Sequence, residues 1–176
     1  MTIITFSGHN GSGKTAVSKE VAKQLGFSWW GMAEITRAHA EELGISILEH
    51  DRMVANNPDI DRELDKKLAE LSSKEDIVVD SRAGWHFLPE SIKVFLTASE
   101  AVRAQRAFSG QRSNEKYATV EDARRGLAER IEVFRSRLQK LYGINVYDEK
   151  NFDIVIDTSD MSVEEVVMKV LEEVQL

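Results

Sequence analysis

The 176 residues contain no cysteine. That excludes disulfides and thiolate metal sites, and the protein need not meet an oxidising compartment. No apolar run approaches the ~20 residues of a membrane span. The first residues, Met1 to Phe6, lack the basic start and long apolar stretch of a signal peptide. A cytoplasmic protein without a membrane is expected. Positive charge is scarce as well: the net charge is −7. This argues against a surface that coats a nucleic-acid polymer, and any polyanion bound must meet locally concentrated positive charge. Repeats, low-complexity tracts and linkers are also missing. Hydrophobic residues make up 42% and charged residues 30%, so a single globular domain over 1–176, a monomer, is expected.

Short apolar runs alternate with amphipathic helical patterns. Ile3 to Phe6, Ile77 to Asp80, Ile92 to Leu96 and Ile154 to Ile156 read as buried strands, and Ser28 to Trp30 as a brief further one. Val17, Val21 and Leu25 share one helix face, with Gly26 as its stop. Met32 to Ser73 reads as helices with short breaks, one at Asn56, Asn57 and Pro58. Ser46 and Glu49 have capping-box spacing. Thr119 can cap a long helix with the stripe Ala123, Leu127, Ile131, Phe134 and Leu138, and Ser162 can cap the last helix. The alternation predicts an α/β fold, a five-stranded parallel sheet flanked by helices.

Between the first strand and the first helix stand Gly8, His9, Asn10, Gly11, Ser12, Gly13, Lys14 and Thr15. They match G-x-x-x-x-G-K-[ST]. Glycines let the backbone curl until its N–H groups converge on phosphate oxygens, and the following helix, entered at Ala16, adds its positive end. Lys14 would reach the β and γ phosphates of ATP, and the Thr15 hydroxyl would bind Mg²⁺. The bland alternative, a chance strand-to-helix turn, does not require this context. Asp80, ending an apolar strand, is the candidate carboxylate on the metal side; its plain alternative is a surface strand end.

No Asn-Lys-x-Asp element follows the last strands, which disfavours a switch GTPase, and the chain is short for a larger ATPase engine. Eight of twelve arginines fall between 103 and 137. Arg130 and Arg137, seven apart, share a helix face that could meet a polyphosphate. Arg124, Arg125 and Arg135 read instead as a solvated face paired with Glu115, Glu121 and Glu129. The Ser109 to Asn114 segment suits a lid tip or an ordinary loop. No Asp or His stands out as a base for a substrate hydroxyl, although Asp80 could serve. An acceptor that is itself a phosphate needs none, being largely ionised near pH 7 (pKa about 6).

The chain resembles the short, archaeal-type cytidylate kinases of the nucleoside monophosphate kinase group over nearly its whole length. The resemblance rests on Gly8 to Thr15, Ala33 to Arg37, Pro58 to Asp65, Asp80 to Trp85 and Leu141 to Asn145. It implies a P-loop kinase with monophosphate-binding helices, about 31–73, and a helical lid, about 106–130. It also implies ATP as donor, Mg²⁺, and small nucleotides as partners. Arg37 and Arg82 would grip the acceptor phosphate, with Gly84 and Trp85 beside them. Asp61, Arg62 and Asp65 would lie near the acceptor nucleoside, and Arg106, Arg112, Arg130 and Arg137 would attend the transferring phosphate. For Asp61, Arg62 and Asp65 the bland reading is a capped, self-paired helix start. His9 and Asn10 replace small residues common in this loop, and the Arg82 to Gly84 spacing is one residue short. The implied reaction phosphorylates CMP or dCMP. Alternatives are a kinase for AMP, UMP, shikimate or a coenzyme precursor, or a nucleotide-binding regulatory protein.

Overall fold

The computed structural model describes residues 2–110 and 115–174, without the side chains of Pro58, Asp61 and Leu64. Strand β1 (Ile3–Gly8) runs through the middle of the molecule and is almost wholly buried. Its apolar residues point to both faces, as a strand covered on both sides requires. Helix α1 (Lys14–Leu25) follows the glycine loop and ends at Gly26, in the left-handed conformation with φ 71°. Strand β2 (Ser28–Gly31) lies at one edge.

Three helices come next: α2 (Met32–Glu42), α3 (Ile47–Ala55) and α4 (Pro58–Glu70). Ser46 and Glu49 form the reciprocal capping box that their spacing predicts. Asn57 caps α4, with Pro58 in the first turn, where a missing N–H costs nothing. A short turn at Leu71–Ser73 leads to β3 (Ile77–Asp80). Then follow α5 (Gly84–Phe87), β4 (Ile92–Thr97), α6 (Glu100–Ser109) and α7 (Val120–Tyr142), the last capped by Thr119. Strand β5 (Ile154–Asp157) and α8 (Val163–Val174) finish the described chain.

All four strand pairings are parallel, in the order β2-β3-β1-β4-β5. The chain leaves β1 toward β2 and leaves β3 toward β4. A crevice therefore opens between β1 and β3 at their carboxyl ends, where open α/β sheets take their ligands. One core layer packs Ile4, Phe6, Val94 and Leu96 against Val17 and Val21 of α1 and Val166, Val167 and Val170 of α8. Each buried valine of α8 contributes about 1.5–3 kcal/mol. The opposite face carries Leu68, Leu71, Ile77, Val79 and Leu88.

Among the described residues, no helix is long and apolar enough to cross a membrane. Arg124, Arg125 and Arg135 are exposed and paired with Glu121 and Glu100, Asp122, and Glu132. The solvated face is as expected, but Glu115 and Glu129 pair elsewhere, with Arg130 and Arg52.

Candidate active site

The crevice between β1 and β3 widens into a cavity of about 330 Å³. One end is lined by Asn10, Gly11, Gly13, Lys14, Thr15 and Ala16. The other is lined by residues of α2, α3, α4 and α7, and Asp80, Ser81 and Arg82 lie between.

Two glycines give the loop its shape. Gly8 has φ 131°, and a Cβ there would fall 1.9 Å from the carbonyl oxygen of Leu96. Gly13 caps α1 with φ 89°. Both conformations are open to glycine and strained for other residues. Lys14 folds over the loop, its Nζ donating to the carbonyl oxygens of Gly8 (2.9 Å) and His9 (2.7 Å). The residue keeps some exposure, but its ammonium is enclosed. Burial, opposed by Asp80 and reinforced by Arg82, Arg130 and Arg103, pulls its pKa down to about 7. A bound phosphate anion would favour the charged form again.

The Thr15 hydroxyl donates to Asp80 Oδ2 at 2.7 Å. A hydroxyl and a carboxylate side by side are the hard oxygen donors that Mg²⁺ takes, alongside substrate phosphates. Among the described residues no group of three His, Asp or Glu could hold a metal.

His9 faces away from the cavity. Its ring stacks on Tyr147 (4.8 Å between centroids, 5° between planes) and meets Phe95 edge-on. Burial, with Arg103 and Lys14 nearby, lowers its pKa to about 4. At neutral pH the ring is an uncharged wedge behind the loop.

The arginines converge on the cavity by different routes. Arg82 reaches toward the loop, its Nη1 3.4 Å from Asn10 Oδ1, with its guanidinium 3.6 Å from the Phe134 ring centroid. Arg137 also lies against Phe134, at 4.7 Å. Arg37 of α2 lines the cavity wall. Arg106 donates to the hydroxyl (3.0 Å) and carbonyl (2.7 Å) of Thr158, just beyond β5. The Thr158 hydroxyl in turn lies 3.0 Å from the carbonyl oxygens of Ser12 and Thr97. Arg130 is buried and donates to Asp51 Oδ2 (2.8 Å) and Glu115 Oε1 (2.6 Å). Burial opposes its charge, but the two carboxylates outweigh that and hold it protonated. Removing one partner of such a buried pair costs about 3–5 kcal/mol.

Asp65 of α4 lines the cavity and accepts a hydrogen bond from the Tyr142 hydroxyl. Burial pushes its carboxyl up, against the Tyr142 bond and the charges of Arg137 and His86. On the wall beside it, His50 of α3 is buried, with Nε2 3.0 Å from His39 Nδ1 of α2.

Several residues expected around the acceptor stand elsewhere. Arg62 is exposed and pairs with Asp59 at 2.9 Å, because its position on α4 points to solvent. Gly84 starts α5 beneath the cavity, where a Cβ would crowd Thr5 at 3.3 Å. Trp85 turns from the cavity to meet Phe152 and His86 edge-on, each at 5.7 Å. The Asp61 side chain and Arg112 lie outside the described residues. In the other direction, Asp51, His50, Glu115 and Phe134 line the cavity without having been singled out for it. Phe134 shows in the sequence only as one member of an apolar helix stripe.

A family model described as the cytidylate kinase-like family matches residues 3–160. A cytidylate kinase of Ignicoccus hospitalis is 35% identical over 169 residues, covering 95% of each chain. An S-adenosylmethionine-dependent nucleotide dehydratase of Lacinutrix mariniflava is 34% identical over 176 residues; these are 99% of this chain but 36% of that longer protein. Among solved structures, shikimate kinase from Acinetobacter baumannii superposes with a TM-score of 0.65 at 18% identity, over 99% of this chain and 93% of that one. That likeness carries the P-loop kinase fold. With the family match spanning most of its length, the chain belongs to the cytidylate kinase-like family of nucleotide kinases.

Proposed function

We propose that this protein transfers the γ-phosphate of ATP to CMP or dCMP, giving ADP and CDP or dCDP. One observation carries the reading. A single cavity joins a P-loop to a second pocket, and Arg37, Arg82, Arg106, Arg130 and Arg137 all line it in a net acidic chain. Its carboxylates are already engaged: Asp80 by Thr15, Asp51 and Glu115 by Arg130, Asp65 by Tyr142. None stands free to take a proton from a hydroxyl, and a phosphate acceptor asks for none.

In this reading the loop amides and Lys14 hold the β and γ phosphates. Arg37 and Arg82 hold the acceptor phosphate, since a guanidinium fork matches two phosphate oxygens. Thr15 and Asp80 hold Mg²⁺, which neutralises phosphate charge when bound. Arg106, Arg130 and Arg137 set positive charge around the transferring group, the main requirement of phosphoryl transfer. The helices over 31–73 then bind the acceptor, and 106–130 forms the lid.

An ADP-release assay with CMP, dCMP, UMP, AMP, GMP and shikimate tests this. The reading expects CMP or dCMP to be used. Use of shikimate alone, or of AMP or GMP in preference to every pyrimidine, would overturn it. The dehydratase relative favours one further reading, in which such a kinase serves as a module feeding a nucleotide-modifying enzyme. Channelling of labelled product to a dehydratase partner, against free exchange with unlabelled pool, would separate that from a stand-alone role.

A further inference from the structure

The acceptor end of the cavity is apolar on its broad surfaces, with Ile47, Val54, Leu68, Phe134 and Leu138 lining it. Flat rings bind well between such walls, and a few convergent polar groups then fix their orientation. His50 is one of those groups. It is 1% exposed, it lines the cavity, and its Nδ1 has no hydrogen-bond partner among the described residues. An enclosed ring nitrogen without a partner is costly, and a ligand in the cavity can satisfy it. Its other nitrogen, Nε2, sits 3.0 Å from His39 Nδ1.

That contact couples the two rings. Two neutral imidazoles can share only one hydrogen across it, so one ring donates and the other accepts. If His50 Nε2–H donates, Nδ1 is a bare acceptor. If His39 donates, His50 carries its hydrogen on Nδ1 and becomes a donor. His50 stays neutral because burial, reinforced by His39, Arg137 and Arg130, outweighs Asp51. His39 is half-buried and can change tautomer with solvent at hand.

Resting on the reading of a nucleoside monophosphate acceptor, we infer that the His39–His50 pair reads the pyrimidine edge and accepts either an amino or an oxo group at position 4. The exocyclic amine of cytosine would donate to a bare His50 Nδ1. The carbonyl of uracil would accept from a protonated one. In the exchange the bridging hydrogen passes from His50 Nε2 to His39 Nδ1, His39 gives up its Nε2 hydrogen to solvent, and His50 Nδ1 takes one from water in the cavity before the acceptor binds; each ring ends with one hydrogen, so no charge is added in either complex. The enzyme would thus use CMP and UMP comparably and would not select between the two pyrimidines.

The experiment is steady-state kinetics of the full chain with CMP and UMP at saturating ATP, for the wild type, His50→Leu and His39→Lys. The expected wild-type ratio of kcat/KM for the two acceptors is within about tenfold. His50→Leu should raise KM for both by tenfold or more, with the KM for ATP and the melting temperature nearly unchanged. In His39→Lys the ammonium can only donate, which holds His50 Nδ1–H as a donor, so the ratio should move tenfold or more toward UMP. A merely structural role would weaken both acceptors without changing their ratio. A wild type selective for one pyrimidine by more than a hundredfold, or a ratio unmoved in His39→Lys, overturns the inference while leaving the proposed kinase in place. If the wild type turns over no monophosphate at all, both fall together.

Discussion

At the end nearest the glycine loop, most cavity-facing groups come from one stretch of chain, Asn10 to Ala16, joined on the lining by Arg106 and Ala107 of α6. At the acceptor end they come from α2, α3, α4, the turn after β3, and α7. The donor end is backbone shape: left-handed glycines, loop amides and a helix start. The acceptor end is side chains gathered from distant positions, many satisfied by one another, as Arg130 is by Asp51 and Glu115. A backbone cradle suits what all phosphates share, whereas a wall of interlocked side chains can change its selectivity one residue at a time.

The contrast can be broken at Lys14, which the proposed reading sets on the β and γ phosphates. Lys14→Met keeps the bulk and removes the charge, and should lower kcat by about a hundredfold or more, the scale of one transition-state electrostatic contact. Near-normal turnover in a folded variant would refute the role. Arg82 sits where the two ends meet, touching both Asn10 and Phe134. Arg82→Lys should weaken acceptor use by about 1.5–3 kcal/mol, the range for a hydrogen bond to a charged group. ATP affinity measured alone by calorimetry should hold. An equal fall in ATP affinity would assign Arg82 to the donor end.

A pH effect sharpens the comparison from behind the loop. The pKa of His9 is about 4 when folded, below its ordinary value of 6.5. The unfolded chain therefore takes up a proton first as pH falls, and the stability held above pH 6.5 is lost progressively toward pH 4. Because the ring is partly exposed, the loss is discounted to about 1 kcal/mol at pH 5. Denaturant unfolding at pH 7 and pH 5 should show it, and His9→Phe, which can still stack on Tyr147, should lose less over the same interval. The smallest effect belongs to Arg62. Its pair with Asp59 is on the surface, so Arg62→Ala should leave the acceptor KM within about twofold. A tenfold rise would return Arg62 to the acceptor site.

What could be read from the sequence follows the same division. The strands, the capping box at Ser46, the stop at Gly26 and the loop from Gly8 to Thr15 are local patterns, and each stands where its pattern puts it. Asp80 follows from being the last residue of an apolar strand. The acceptor end was legible only in outline. The bond from Arg130 to Asp51 joins residues 79 apart, and no spacing encodes it. Phe134 looks like core in a helix stripe because it is apolar and periodic; only the fold shows that it also carries the Arg82 guanidinium. Arg62 and Trp85 fit a family pattern by position, but the direction of a side chain depends on helix phase and packing partners, which the pattern does not contain.

Thr158 has a consequence of another kind. Its single hydroxyl fastens the carbonyl of Ser12, 146 residues earlier, and that of Thr97, while Arg106 grips it from α6. The glycine loop is therefore not a portable cassette. A fragment holding only the first strand, the glycine loop and its helix would contain every residue of the motif and lack the fastening that keeps it in shape. Grafted or truncated versions should bind nucleotide poorly until the far end of the chain is supplied, even as a separate piece.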